Sequence, residues 1–139
     1  MLFRSLKADI QTGATTFLPT KGKFLVETPE WQYGYSATAT FGPVAVGGQY
    51  KHVGSRFATD TNDLRVPSYD LFDLDATVSF DSLGLKQTFF QLKVYNLFNA
   101  RYLGSINSAT VRFDSAGREN TTYFVGSPRT VQGTVRIGF

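Results

Sequence analysis

Cysteine is absent from the 139 residues, which excludes a disulfide framework, a thiolate metal site and a cysteine nucleophile. A single histidine, His52, leaves no basis for a His-rich metal centre. Charge is scarce as well: Asp, Glu, Lys and Arg make up 18%, against about 25% in ordinary soluble domains. The net charge of +3 is mild and its basic residues are scattered, so no nucleic-acid partner is expected. No apolar run approaches the ~18 residues of a membrane helix. The start, Met1-Leu2-Phe3-Arg4-Ser5, lacks the long apolar core of a secretory signal. There is no Gly-x-Ser-x-Gly elbow, phosphate loop or EF-hand spacing. No catalytic residue, metal site or cofactor is assigned, and the chain is not expected to be an enzyme.

What the chain has in quantity is rings and glycine: 13 Phe, 7 Tyr and 13 Gly, a mixture that favours strands and tight turns. Five segments alternate with period two. In 32–41, Tyr33, Tyr35, Ala37, Ala39 and Phe41 share one face. In 44–52 the apolar set is Val44, Val46, Gly48 and Tyr50, and in 70–80 it is Phe72, Leu74, Ala76, Val78 and Phe80. In 88–96 it is Phe90, Leu92 and Val94, and in 130–139 it is Val131, Val135, Ile137 and Phe139. The connections run short, long, short, long: Gly42-Pro43, then 53–69, then 81–85, then about 97–128. That rhythm matches outer-membrane barrels, whose periplasmic turns are short and outer loops long.

Register gives an independent check, because a slip of one residue would mismatch the faces. A two-residue turn at 42–43 pairs Phe41 with Val44 and sets Tyr35 opposite Tyr50. A five-residue turn at 81–85 pairs Phe80 with Lys86, Leu74 with Leu92, Phe72 with Val94 and Asp73 with Lys93. Either Asp73 or Asp75 should therefore face Lys93. Trp31, Tyr33, Tyr35 and Tyr50 cluster near the long-loop ends, and Phe41, Phe80 and Phe139 at the short-turn ends. These are two aromatic girdles around an apolar band. The fold class expected is all-β: an antiparallel meander of about five strands, part of a transmembrane β-barrel and incomplete by itself. The alternative is a soluble all-β ligand-binding module, in which a second sheet would bury Tyr33, Phe72, Leu92 and Val135.

Few residues invite a chemical reading. Asp70, Asp73 and Asp75 could form a cation site, but they read more simply as the wall of an aqueous lumen, with Lys93 as cross-strand partner. His52 reads as an interface residue beside Tyr33. Arg101, Arg112, Arg118 and Arg129 lie in or beside the last long connection with Tyr102, Phe113, Tyr123 and Phe124. They suit either capture of an anionic ligand or a solvated loop.

The closing third carries a recognisable order of motifs. Val94-Tyr95-Asn96-Leu97-Phe98-Asn99-Ala100-Arg101-Tyr102 is followed, after a long loop, by Tyr123-Phe124-Val125-Gly126-Ser127-Pro128-Arg129-Thr130 and a strand closing at Phe139. This resembles the C-terminal end of TonB-dependent outer-membrane receptors, with Asn96, Leu97, Phe98, Asn99, Tyr102, Pro128 and Arg129 as the family motif. Thr28-Pro29-Glu30-Trp31, Tyr50 to Phe57 and Thr59 to Asp63 look similar too. The resemblance implies a bacterial outer-membrane protein taking part in energy-coupled uptake of a nutrient, most often an iron chelate (siderophore). Of the loop residues, Arg101, Tyr102, Arg112 and Arg118 are the expected ligand contacts. The resemblance also implies an assembly signal in Val131, Val135, Ile137 and Phe139, weakened by Gly133. Family members add a signal sequence, a TonB-contact segment, a plug and a barrel of about 22 strands. Residues 1–139 are therefore expected to be a C-terminal barrel portion without plug or signal. Its expected partners are outer-membrane lipid, the plug and remaining strands, the TonB energy-coupling complex and the barrel-assembly machinery.

Overall fold

A computed structural model describes residues 5–113 and 119–138. Eleven strands follow in order among them: β1 (Ile10–Gln11), β2 (Phe17–Leu18), β3 (Gln32–Phe41), β4 (Val44–Val53), β5 (Arg56–Phe57), β6 (Arg65–Val66), β7 (Tyr69–Ser79), β8 (Phe89–Tyr95), β9 (Leu103–Phe113), β10 (Glu119–Val125) and β11 (Thr130–Arg136). They fall into two compact units. One gathers the chain up to Gln32, Val53–Tyr69 and Tyr102–Gly126; the other gathers Tyr33–His52, Asp70–Arg101 and Ser127 onward.

The second unit is an open five-stranded sheet in the order β11-β8-β7-β4-β3. These are the five strands expected from alternation. Strands β3 and β4 have ten residues each and β7 has eleven, the length that crosses a hydrocarbon core at a tilt. The β3–β4 connection is the two-residue turn at 42–43, where Gly42 takes φ +56, a conformation costly for residues with a Cβ.

The β7–β8 register differs from expectation by two residues. Leu74 pairs with Val94, Asp75 with Lys93, Ala76 with Leu92 and Val78 with Phe90. The connection uses residues 81–87 rather than 81–85. A 3-10 turn forms at Asp81–Leu83 and is closed by Gly84 at φ +81. Gln87, also at positive φ, donates its N–H to Asp81 Oδ1 at 2.7 Å. Phe80 N–H then meets Thr88 O at 2.9 Å instead of pairing with Lys86. A shift of two leaves every side chain on its expected face, so the correction moves partners and spares the sidedness. Asp75, rather than Asp73, is the residue across from Lys93.

Strand β11 continues the rows, with Val131 on Val94, Gly133 on Leu92 and Val135 on Phe90. Three apolar rows cross the sheet: Leu74–Val94–Val131, Ala76–Leu92–Gly133 and Val78–Phe90–Val135. The opposite side carries Asp75–Lys93–Gln132 and Thr77–Gln91–Thr134, with Gln91 Nε2 donating to Thr77 Oγ1 at 2.9 Å. Exposure is inverted relative to a soluble sheet. Phe72 and Leu74 are 38% and 44% exposed, whereas Asp73 and Asp75 are half-buried.

The first unit holds structure that alternation did not reveal. The stretch expected as one loop at 97–128 contains the hairpin β9–β10, and 53–69 contains the short pair β5–β6. Register shifts interrupt β9–β10 between Glu119 and Thr121 and between Phe124 and Val125. Such bulges break the period-two pattern. Its small core is Ala58, Val66 and Ile106, with Leu103 and Tyr123 packed against it.

Candidate functional site

Apart from Tyr102, the residues of the expected family motif lie in the second unit, where Asn96 and Asn99 bond to the segment that enters β11. β8 ends because Asn96 turns to φ +51 and Asn99 to φ +53, a left-handed region that asparagine tolerates better than most residues. Asn96 is 4% exposed. Its Oδ1 accepts from Ala100 N–H at 2.8 Å, and its Nδ2 donates to Ala100 O at 2.9 Å and Ser127 O at 3.0 Å. Its own N–H donates to Asp73 Oδ1 at 2.8 Å. Leu97 N–H reaches Phe72 O at 2.7 Å, and Asn99 Oδ1 accepts from Arg129 N–H at 3.0 Å. Phe98 sets its ring edge-on to Phe72 at 5.0 Å. Together these bonds fasten the exit of β8 to β7 and to the segment entering β11. Pro128 O accepts from the Thr130 hydroxyl at 3.1 Å.

Tyr102 belongs to the first unit. Its ring lies 4.4 Å from that of Tyr69, and its carbonyl accepts from Gly126 N–H at 2.8 Å. A Cβ at position 126 would overlap the Tyr102 ring, so the glycine permits the close approach. Among the arginines expected to contact ligand, Arg101 is exposed. Arg112 lies in β9, with only its backbone described, and Arg118 lies outside the described residues. Of the expected assembly signal, Val131, Val135 and Ile137 are exposed and Phe139 lies outside the described residues.

The three aspartates divide. Asp73 and Asp75 lie on the polar side, Asp73 holding the Asn96 amide. Asp70 shares the parity of Phe72 and accepts from Tyr50 OH at 2.6 Å, with His52 Nδ1 at 2.8 Å. Tyr33 stacks on His52 at 4.8 Å, Tyr35 on Tyr50 at 6.3 Å, and Tyr50 leans on Phe72 at 4.7 Å. This is an amphipathic ring cluster on the apolar side of the sheet, suited to a membrane–water boundary. Among the described residues no group of three or more His, Asp or Glu side chains is placed to hold a metal.

In the loop before β6, the Thr59 hydroxyl donates to Asp63 and holds its carboxyl below the ordinary range, whereas burial pushes Asp60 upward. In the β7–β8 turn, the Ser79 hydroxyl and the Gln87 amide hold Asp81 low. Sequence reasoning assigned no role to Arg56. It is 7% exposed, and its Nη2 donates to Leu103 O at 2.6 Å and Gly104 O at 3.3 Å. A buried arginine of this kind leaves no periodic signal.

The model of the family described as "TonB dependent receptor-like, beta-barrel" matches residues 5–97. The ferrioxamine receptor of Yersinia enterocolitica is 32% identical over 99 residues, which cover 69% of this chain and 12% of that receptor. Among solved structures, the open form of the ferric-catecholate import receptor Fiu from E. coli K12 aligns with a TM-score of 0.55 at 23% identity. The alignment covers 75% of this chain and 14% of that one. The chain thus spans roughly an eighth of the length of these relatives.

Proposed function

The chain belongs to the TonB-dependent receptor β-barrel family of the bacterial outer membrane, and from that premise we propose that it forms the C-terminal barrel wall and outer loops of a receptor for energy-coupled nutrient uptake. The observation that carries the reading is the inverted sheet. On its apolar side Phe72, Leu74, Phe90, Leu92, Val131 and Val135 are exposed, and its Asp75–Lys93 row lies on the other side. In a bilayer this is the stable arrangement, with apolar rows against lipid and polar rows against an aqueous or plug-filled lumen. A soluble binding module would have to cover the same face, and it is open among the described residues.

The transported ligand in this reading is an iron chelate, supported by the ferrioxamine and ferric-catecholate names of the relatives. Arg101, Tyr102, Arg112 and Arg118 contribute to its capture. The plug and the remaining strands come from sequence outside residues 1–139, and the TonB complex acts through them. Val131, Val135, Ile137 and Phe139 present an alternating edge to the assembly machinery, which reads it by strand addition. The role is transport rather than catalysis.

The test is uptake of radiolabelled ferric hydroxamate and ferric catecholate by a receptor-deficient strain expressing the intact barrel that carries this chain. Uptake of one chelate class that stops when the inner membrane is de-energised is the expected result. Absence of uptake of either class in cells that display the folded barrel would overturn the iron-chelate reading.

A further inference from the structure

On the apolar side of the second unit, a row of rings borders a hollow. Tyr35 and Tyr50 stack at 6.3 Å, and Tyr50 leans on Phe72 at 4.7 Å, so three rings stand side by side across β3, β4 and β7. Two residues nearer the short turns, β3 and β4 carry Ala37 and Gly48, which have almost no side chain. The hollow of about 260 Å³ is lined by these two residues together with Tyr35, Tyr50, Phe72 and Leu74. A Cβ on Gly48 would stand 3.4 Å from Leu74 Cδ2, so the missing side chain is part of what leaves the space. At their other end the rings meet polar groups. Tyr50 OH donates to Asp70 Oδ1 at 2.6 Å, and His52 Nδ1 lies 2.8 Å from the same oxygen. Neither contact uses Asp70 Oδ2, and the Asp70 side chain is 51% exposed.

An apolar hollow on a lipid-facing sheet is filled by hydrocarbon, because the hydrocarbon region holds no water to fill it. This hollow is continuous with the exposed apolar rows. Its polar end lies where the long connections begin, which is the outward end of barrels of this kind. We propose that the hollow and Asp70 together form a binding site for an outer-leaflet glycolipid, with one acyl chain in the hollow and a sugar of the head at Asp70. The polar end selects the head. A carboxylate accepts from hydrogen-bond donors, which sugar hydroxyls supply, and it repels phosphate. Tyr35, 70% exposed, offers a flat ring to the C–H face of the sugar. The inference rests on the lipid-facing reading of the sheet and not on uptake, since binding is read with no energy source. A barrel that takes up a chelate yet holds no glycolipid would defeat this inference alone.

The probe is glucosyl diacylglycerol, titrated onto the detergent-solubilised intact barrel that carries this chain and followed by native mass spectrometry. Phosphatidylethanolamine with the same acyl chains is the competitor, because its head carries a donor and a phosphate together. Saturable binding of the glucolipid is expected, tighter than that of the phospholipid. Asp70→Asn keeps the shape and removes the charge, and it should weaken the glucolipid about fivefold, the difference between a charge-assisted and a neutral hydrogen bond. Ala37→Leu fills the hollow with an apolar side chain that a lipid-facing position tolerates, and it should remove saturable binding. If one variant fails to fold, judged by loss of the heat-shifted gel band, the other decides. No saturable glucolipid binding, equal affinity for the phospholipid, or full affinity in either folded variant would overturn the assignment.

Discussion

Replacing Asn96 by alanine should destabilise the barrel out of proportion to the size of the side chain. The change deletes three hydrogen bonds, to Ala100 N–H, Ala100 O and Ser127 O. Ser127 is exposed and Ala100 half-buried, so water can replace part of what is lost. A net ~1 kcal/mol per bond is therefore appropriate, rather than the full desolvation penalty. Alanine must also adopt φ +51, which costs about 1 kcal/mol more than it does for asparagine or glycine. The sum is ~3–4 kcal/mol. Glycine at the same position keeps the backbone and loses only the bonds, so Asn96→Gly should cost ~2–3 kcal/mol. Urea titration of the intact barrel in detergent micelles, followed by the heat-shifted band on gels, measures both. The difference between the two variants isolates the backbone term. Alanine within about 0.5 kcal/mol of wild type would refute the claim that Asn96 fastens β8 to β11.

Other outcomes follow from the same geometry. Leu74→Arg places a charge in an exposed apolar row and should cost ~2–4 kcal/mol near the bilayer midplane, read as reduced assembly into the membrane. A double-mutant cycle on Asp75 and Lys93 should return a coupling of ~0–1 kcal/mol, because a wet ion pair gains little. Asp63 has a depressed folded pKa, so it adds stability above the ordinary carboxylate pKa of about 3.9 and loses it as pH falls through the folded value. Asp63→Asn should therefore remove an acid-side loss of amide protection at Leu64, whose N–H donates to Thr59 Oγ1. Expressed alone, the 139-residue chain should aggregate or require detergent and give no uptake in a receptor-deficient strain. Its sheet has open edges at β3 and β11 and one apolar face. A soluble monomer that melts cooperatively would contradict this.

The strands that alternate cleanly were legible in the sequence, and those that do not were not. Phe72, Leu74, Ala76 and Val78 announce β7 because every second residue has the same task. In β9, Leu103-Gly104-Ser105-Ile106-Asn107 shows no such rule, with Ile106 buried beside Ala58 and Val66 and Leu103 packed against them. The bulges in β9–β10 remove the remaining periodicity. The β7–β8 register failed for a different reason. A turn length cannot be read until one knows that Gly84 and Gln87 take positive φ and that Asp81 folds back onto the Gln87 amide.

That failure leaves the membrane reading intact, because sidedness and register have different physical origins. Sidedness depends on parity alone, and any error of two residues preserves it. Partner identity depends on every residue in the turn. The same distinction separates the motif from Arg56 and Arg65. Asn96 and Asn99 were legible through the family resemblance, and the left-handed backbone they adopt gives the physical reason for asparagine there. Arg56 and Arg65 carry no local signature, since their setting is made by Ser55, Tyr69, Leu103 and Gly104, drawn from two strands and a loop. A barrel wall therefore constrains its sequence residue by residue. A buried side chain such as Arg56 is constrained only through contacts between segments distant in the chain, so its setting has to be sought in the folded structure.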